Sequence, residues 1–519
     1  PFHPMRSLDS YTRGQRRIKQ LRGSQPGRPS IAPELNWGWS TAEEASFLTR
    51  YTLPFLKGTN IYTIVDGDDA PNVQGRSYSN NREPYPGSAP IDAEGGLRPA
   101  YRQLNRLIRY TRNEAEDFAS TATLADITLG FYPPYNYPQV YRKWGNVPGA
   151  PLNGLFESTI GANEFLQDFM RMFIKEDMEC DAIDVQKASI DELLKKKLIL
   201  LLGQEVMDSA TQRKLVRYVQ DGGRLVIFPT IPSVDLRMRK ATILKDTLLS
   251  DLEIDPASGS APWRLMLMRY PETSFRAHRV FHTLELHGGA PLVRAVNEKG
   301  EPVAAEKGYG KGKILYIGTY CTDPGFYERI SAEEGLNPRY AFSSSGSVEV
   351  VPVVNPETGD EYLYAINRGR QSRTVNIYYR DVFGYGGQGQ VSTEVGGHSC
   401  SIVKTNRGRL ISASLNGSSG TFALVNGKGV WADGADEVDM SWEKGDVMQF
   451  SADRRSLVQL LLSGIRVAKV VDGEGAPVPY RCDGTVLRFH YTPGSGTGSG
   501  DDFYRIVVSG KDGGDIDAP

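Results

Sequence analysis

Long apolar stretches are missing from these 519 residues. A membrane-crossing helix needs about 20 consecutive apolar residues. The longest run here, Leu198–Leu202, is far shorter, so it reads as a buried strand and no membrane partner is expected. Cysteine is scarce as well. Cys180, Cys321, Cys400 and Cys482 lie far apart without paired spacing, which argues against a disulfide scaffold or zinc knuckle and for a reducing compartment. An excess of one charge is also lacking. Sixty Lys+Arg against 62 Asp+Glu leave a net charge of -2, which points away from nucleic acid or an anionic membrane surface.

Other signals fail on context. Gly384–Gly389 has dinucleotide-loop spacing, but a β-like stretch follows it where a helix would be required, so it reads as a turn. His278 and His282 stand four apart in a strand-like stretch, which does not make a helical metal pair. Asp433–Asp439 lacks a calcium-loop pattern. No metal and no cofactor is expected. No secretory signal is visible, so the expected location is cytoplasmic. The chain opens on Pro1, in sequence already of mid-fold character. An upstream part is therefore expected, and secretion stays open with it.

What is present is glycine, proline and tyrosine, 55, 31 and 26 residues respectively, as in a loop-rich enzyme or a β-rich protein. After a basic helix at about 7–21, which reads as a solvated outer helix, Pro29-Ser30-Ile31-Ala32 has the look of a strand. It delivers Glu34 beside Trp37 and Trp39. Ser40-Thr41-Ala42-Glu43-Glu44 is a helix-start signal for a helix to about Leu56. Gly58-Thr59-Asn60 leads into Ile61–Val65, a second strand of buried type, with Asp66, Asp68 and Asp69 at its end. Pro99 then opens a helix to Arg112. Strand, helix, strand, helix with polar residues after each strand is the grammar of a (β/α)₈ barrel. Only about two of its units fit into residues 1–118.

A carboxylate at a strand end with indole walls is what a sugar-cleaving site needs; a structural glutamate capping a loop is the competing reading. Trp37 and Trp39 offer an apolar platform, although one of them could serve the core. Asn60, Tyr62, Asp66 and Asp68 are placed to bind hydroxyls.

Residues 119–343 alternate strands and helices, as in a doubly wound parallel sheet. Strands are expected at Leu124–Phe131, Cys180–Val185, Lys197–Leu202 and Leu225–Phe228, with helices at Leu155–Ile174 and from Ser209 to Gly222. From 344 to 519 short alternating strands and the turn dipeptides Asn416-Gly417, Asn426-Gly427 and Asp483-Gly484 give one or two β-sandwiches.

Pro33-Glu34-Leu35-Asn36-Trp37-Gly38-Trp39, the Gly58-Thr59-Asn60 turn and Ala89-Pro90-Ile91 running into Gly96-Leu97-Arg98 resemble the last part of the catalytic barrel of glycoside hydrolase family 35. Those enzymes are retaining β-galactosidases and their exo-β-glucosaminidase relatives. In that family a Glu-x-x-x-Gly-Trp segment carries the nucleophile, which falls on Glu34. The family's acid/base glutamate lies on an earlier barrel strand and has no counterpart in this sequence. The middle region resembles the amidotransferase-like (flavodoxin-type) trimerisation domain found in family 42 β-galactosidases. A working amidotransferase needs a cysteine at a strand-to-helix elbow; the comparable place is Gly203-Gln204-Glu205, so this domain is expected to be catalytically silent and to serve assembly.

The resemblance implies a retaining exo-β-glycosidase of β-galactosidase type, with an oligosaccharide or β-glycoside as substrate and a homo-oligomer formed through the α/β domain. Exo-β-glucosaminidase is the alternative activity. A non-catalytic accessory or carbohydrate-binding subunit is the alternative of another class. A barrel fragment would leave open sheet edges, which recruit other chains. The 519-residue chain expressed alone is therefore expected to be poorly soluble; a monodisperse peak on size-exclusion chromatography would contradict this.

Overall fold

The computed structural model describes residues 8–25, 28–38, 40–67, 87–125, 127–136, 161–176, 178–255, 266–270, 273–288, 291–335, 340–343, 347–379, 389–418, 420–444, 446–461, 465–493 and 503–511. In place of three consecutive domains, the chain divides into two compact units. One combines Pro1–Ser10, Pro29–Leu124 and Arg339–Pro519, and the other combines Tyr11–Arg28 with Ala125–Pro338.

Helix α1 (Leu8–Ser24) belongs to the second unit from Tyr11 onward. It is not the solvated helix expected from its arginines. Tyr11, Gln15, Ile18 and Lys19 form one buried face at helical spacing, and the Lys19 ammonium pairs with Glu179 at 2.6 Å. Arg13 and Arg17 point outward from the other face. Gly23 lies so near the backbone of Ala182 that a Cβ would stand 2.2 Å from its carbonyl oxygen, a contact only glycine permits.

In the first unit, β1 (Ile31–Asn36) is followed by α2 (Ala42–Thr52), capped by Thr41, whose hydroxyl accepts from Glu44 N at 3.2 Å. Next come β2 (Gly58–Tyr62), α3 (Pro99–Asn113, with Pro99 in its first turn) and the short α4 (Ala115–Ser120).

The second unit continues with β3 (Ile127–Phe131), α5 (Ala162–Lys175), β4 (Cys180–Asp184), β5 (Leu198–Gly203), α6 (Ser209–Gln220), β6 (Arg224–Pro229) and β7 (Gly312–Ile317). These five strands are parallel, in spatial order β4-β3-β5-β6-β7. That is the flavodoxin-like arrangement 2-1-3-4-5. The sheet does not stay parallel. Beyond β7 it continues through five antiparallel strands among the described residues, starting with the hairpin that joins Pro302–Tyr309 to β7, where Gly310 turns at φ +62°. Phe165, Leu166, Phe169, Met170 and Phe173 on α5 are fully buried, as their spacing predicts; the expected first turns of that helix lie outside the described residues. α6 is capped by Asp208, whose carboxylate accepts from Thr211 N at 2.8 Å, one residue before the expected capping box.

The chain then returns to the first unit as a β-sandwich, with an eight-stranded and a nine-stranded sheet among the described residues. Both sheets contribute to one core, with Leu363, Val403 and Phe450 from the larger and Ile377, Val425 and Leu460 from the smaller. Asn426 and Gly427 take φ +51° and +77° in the two-residue turn between Thr421–Val425 and Lys428–Asp433, the mirror-image turn that strand twist favours. Ala122–Thr123 adds an edge strand to the larger sheet by pairing with Val348–Val354, so early and late parts of the sequence share one sheet.

The helices of this unit meet the larger sheet through charges. On β8 (Ser399–Asn406), Lys404 is buried and lies 2.9 Å from Glu114, 3.0 Å from Asp117 and 2.9 Å from Asp360. Arg50 of α2 donates to the Ser414 carbonyl on β9 (Arg409–Asn416) at 2.8 Å and stands 3.6 Å from Asp439 on β10 (Glu437–Lys444). Arg106 of α3 pairs with Glu437. Burial alone would raise the Asp117 carboxyl, but the Tyr362 hydroxyl, Lys404 and Asn355 together hold it below the usual range. Its contribution to stability is therefore full above the unfolded carboxylate value of about 3.9 and is lost as pH falls through the lower folded value. Lys404→Met leaves three buried acids without their cation and should cost about 3–5 kcal/mol. Urea denaturation at pH 7 measures that cost. Repeating it at falling pH should show a shallower acid loss in the variant than in the parent.

Candidate active site

β1 and β2 are parallel and, among the described residues, pair only with each other. β1 does not stop before Glu34, as the sequence suggested, but runs through it to Asn36. Ala32 faces Thr59, Leu35 faces Ile61 and Asn36 faces Tyr62. Between the first two pairs the register shifts. Pro33 and Glu34 together oppose the single residue Asn60, which makes a β-bulge. β2 in turn starts at Gly58 and ends at Tyr62, earlier than expected. Past that point Val65 bridges to Ile91, and Ile91 N donates to the Ile64 carbonyl.

Burial gives the two faces of the pair their identity. Ala32, Leu35 and Trp37 are buried, and Trp37 packs with Ala45 of α2, Ala100 and Leu104 of α3, and Ile61 of β2. This is the helix-covered face. Asn60 and Tyr62 are exposed, Tyr62 to 40%. They alternate with Ile61, so they occupy the opposite, open face. The backbone places Glu34 and Asn36 at the strand positions matching Asn60 and Tyr62. By backbone register Glu34 therefore lies next to Asn60, two positions from Tyr62. Asn36 is the register partner of Tyr62, a position that only the pairing identifies.

Two other expected site residues do different work. Trp37 is only 1% exposed and its indole N–H donates to Thr49 Oγ1 at 3.0 Å. It anchors the strand end to α2 and offers no platform to a sugar. Asp66 is buried, accepts from the amides of Gly87 and Ala89 at 3.0 Å each and pairs with Arg98. With both oxygens engaged, it braces the 87–98 segment and does not reach for hydroxyls. Trp39 and Asp68 lie outside the described residues.

In the second unit the carboxyl ends of the strands are occupied by tyrosines. At the carboxyl ends of β3 and β5, where the strand order reverses and such sheets bind ligands, Tyr132 donates to Asp208 at 2.9 Å and Gln204 N donates to the Tyr135 hydroxyl at 3.2 Å. Both rings are buried, and the strand end itself reads Gly203-Gln204-Glu205. Burial pushes the Cys321 thiol up to about 12, so it stays protonated and unreactive. Among the described residues, the one His/Cys/Asp/Glu group close enough to share a cation is Glu253, Glu285 and His287, all exposed. His278 falls within the strand Thr273–Phe281.

Residues 153–285 match the family model of the GLMA-like second domain. An exo-β-D-glucosaminidase of Pyrococcus horikoshii is 24% identical over 343 residues, covering 63% of this chain and 40% of that protein. A β-1,2-glucosyltransferase of Ignavibacterium album is 22% identical over 340 residues, covering 62% of this chain and 44% of its own. The chain thus spans less than half the length of these curated relatives. Among solved structures, a catalytic mutant of the family 42 β-galactosidase Gan42B from G. stearothermophilus superposes with a TM-score of 0.58 at 15% identity, covering 77% of this chain and 57% of its own. That likeness is one of fold, and it lies with family 42 where the motif had suggested family 35. A seven-residue motif around one glutamate is too short to separate two such families.

Asp66→Asn weakens the charge-assisted contacts that hold Gly87, Ala89 and Arg98. Hydrogen exchange should show the Gly87 and Ala89 amides exchanging at least about tenfold faster, for a loss of about 1.5 kcal/mol, while Trp37 and α2 keep their protection.

Proposed function

We propose that this chain carries the nucleophile half of a retaining exo-β-glycosidase, with Glu34 as the nucleophile. The observation that carries this reading is the register of the parallel β1–β2 pair, which sets Glu34 next to Asn60 and close to Tyr62, both exposed. Parallel strands covered by helices, with polar residues toward their carboxyl ends, are what a barrel glycosidase uses. The glycosidases among the similar proteins support the same class.

Retaining hydrolysis needs two carboxyl groups about 5–5.5 Å apart. Glu34 attacks the anomeric carbon as the acid protonates the departing oxygen; water then breaks the glycosyl–Glu34 ester. Asp66, the nearest acid after β2, is engaged elsewhere. We assign the acid/base role to polypeptide outside these 519 residues, in keeping with the greater length of the relatives. Asn60 and Tyr62 bind sugar hydroxyls. The relatives named exo-β-glucosaminidases favour a terminal β-glucosaminide as substrate, with β-galactoside second. The glucosyltransferase relative fits the same site, since a covalent glycosyl-enzyme can pass its sugar to a hydroxyl in place of water. The flavodoxin-like unit serves assembly into a homo-oligomer.

Glu34→Gln in the intact protein should lower kcat on aryl β-glucosaminide and aryl β-galactoside by about 10³-fold or more. Unchanged turnover on whichever substrate the parent cleaves removes Glu34 from the mechanism.

A further inference from the structure

The larger sheet of the sandwich meets α2 and α3 on its outer side. The smaller sheet turns its outer side the other way. On four neighbouring strands of it, Thr421–Val425, Lys428–Asp433, Ser456–Leu461 and Val486–Tyr491, the residues Phe422, Trp431, Gln459 and Arg488 stand opposite one another in turn. Each lies between two buried residues of its own strand, as Trp431 does between Val430 and Ala432 and Gln459 between Val458 and Leu460. The two-residue period sends all four outward. They form one unbroken row across the sheet, roughly 14 Å long at about 4.8 Å per strand.

The row has an aromatic half and a polar half. Phe422 and Trp431 stack, with ring centroids 5.4 Å apart and an interplanar angle of 27°, and Trp431 keeps 45% of its surface exposed. Beside them Arg488 Nε donates to Gln459 Oε1 at 3.3 Å. That bond fixes two planar groups side by side and uses neither the Gln459 N–H₂ nor the Arg488 Nη donors. Asp433 is exposed two residues beyond Trp431, so it adds an acceptor on the same face.

A cross-strand aromatic pair stiffens a sheet, but that role asks for neither an open indole nor polar groups in line with it. A flat apolar surface continued by fixed donors fits a pyranose ring. The C–H face of the sugar lies on the aromatic rings, and its hydroxyls reach the amide and the guanidinium. An amino sugar adds the attraction of its ammonium to the indole face and to Asp433.

Resting, for the class of ligand, on the reading of this chain as part of a β-glycosidase, we propose that this row is a saccharide-binding site on the far side of the sandwich from α2 and α3. It holds a β-linked oligosaccharide, with Trp431 as the platform and Gln459 and Arg488 as hydroxyl donors.

The test is calorimetric titration of the intact protein with a sulfur-linked β-glucosamine oligosaccharide, which resists hydrolysis, and with its N-acetylated counterpart. The parent is compared with Trp431→Ala, Trp431→Phe and Gln459→Ala. Trp431→Ala should bind at least about tenfold more weakly, or lose one site per chain. Gln459→Ala should bind about fivefold more weakly, whereas Trp431→Phe keeps a ring and should stay within about threefold of the parent. Thermal melts report the folded fraction, and if Trp431→Ala does not fold, Gln459→Ala decides. Turnover of aryl β-glucosaminide and aryl β-galactoside should stay parental in all three variants. Equal affinity and stoichiometry in the parent and the folded variants, or a parent that binds neither oligosaccharide, overturns the site and leaves Glu34 to its own test. A parent that cleaves neither aryl glycoside, yet loses the oligosaccharide with Trp431→Ala, removes the glycosidase reading and keeps the site.

Discussion

The first unit rests on one constraint: charges that leave water must be matched at the same moment. An uncompensated ion in a protein interior costs several kcal/mol, yet α2, α3 and α4 with the residue between them present Arg50, Arg106, Glu114 and Asp117 to the larger sheet, which answers with Lys404, Glu437 and Asp439. An apolar seam of similar size would hold the helices at least as firmly, but it would accept small slides. Ion pairs in fixed geometry do not. α2 is the helix on which Trp37 is anchored through Thr49, so the sandwich fixes the far side of the element that supports the strand bearing Glu34.

That strand shows how burial and polarity divide the work within a few residues. Trp37 and Leu35 hold β1 to the helices. Asp66 and Arg98 do for the following segment what Trp37 does for the strand, and a carboxylate so engaged is spent on shape. The candidate site is therefore smaller than its motif. Of the residues singled out by sequence, Glu34 and Asn60 are neighbours in the strand register, while Trp37 and Asp66 are held in the framework.

Sequence signals are legible where the physics is local. Thr41 caps α2, Pro99 opens α3, and the Asn426-Gly427 turn joins two strands, because each depends on residues close by in the chain. The sequence misleads where a distant residue decides. The burial of α1 depends on Gly23 meeting Ala182 and on Lys19 meeting Glu179. The occupation of Asp66 depends on the amides of Gly87 and Ala89, far along the chain. The extent of β1 depends on its pairing with β2. Pro33 is in plain view, but a proline announces a bulge only once the partner strand and its register are known. The parallel half of the second unit's sheet follows from its apolar runs, whereas the antiparallel half arises from hairpins that the alternation rule does not anticipate.

The pairing of early helices with a late sheet also has a timetable. Arg50 and Ser414 are 364 residues apart in sequence. At synthesis rates of about 5–20 residues per second, the arginine waits roughly 20–70 s on the ribosome before its partner emerges. During that interval the second unit, whose sheet lies between those two points in sequence, can already close. The nascent chain thus carries β1 and its helices as an unfinished, charge-bearing tether, a natural client for a holding chaperone.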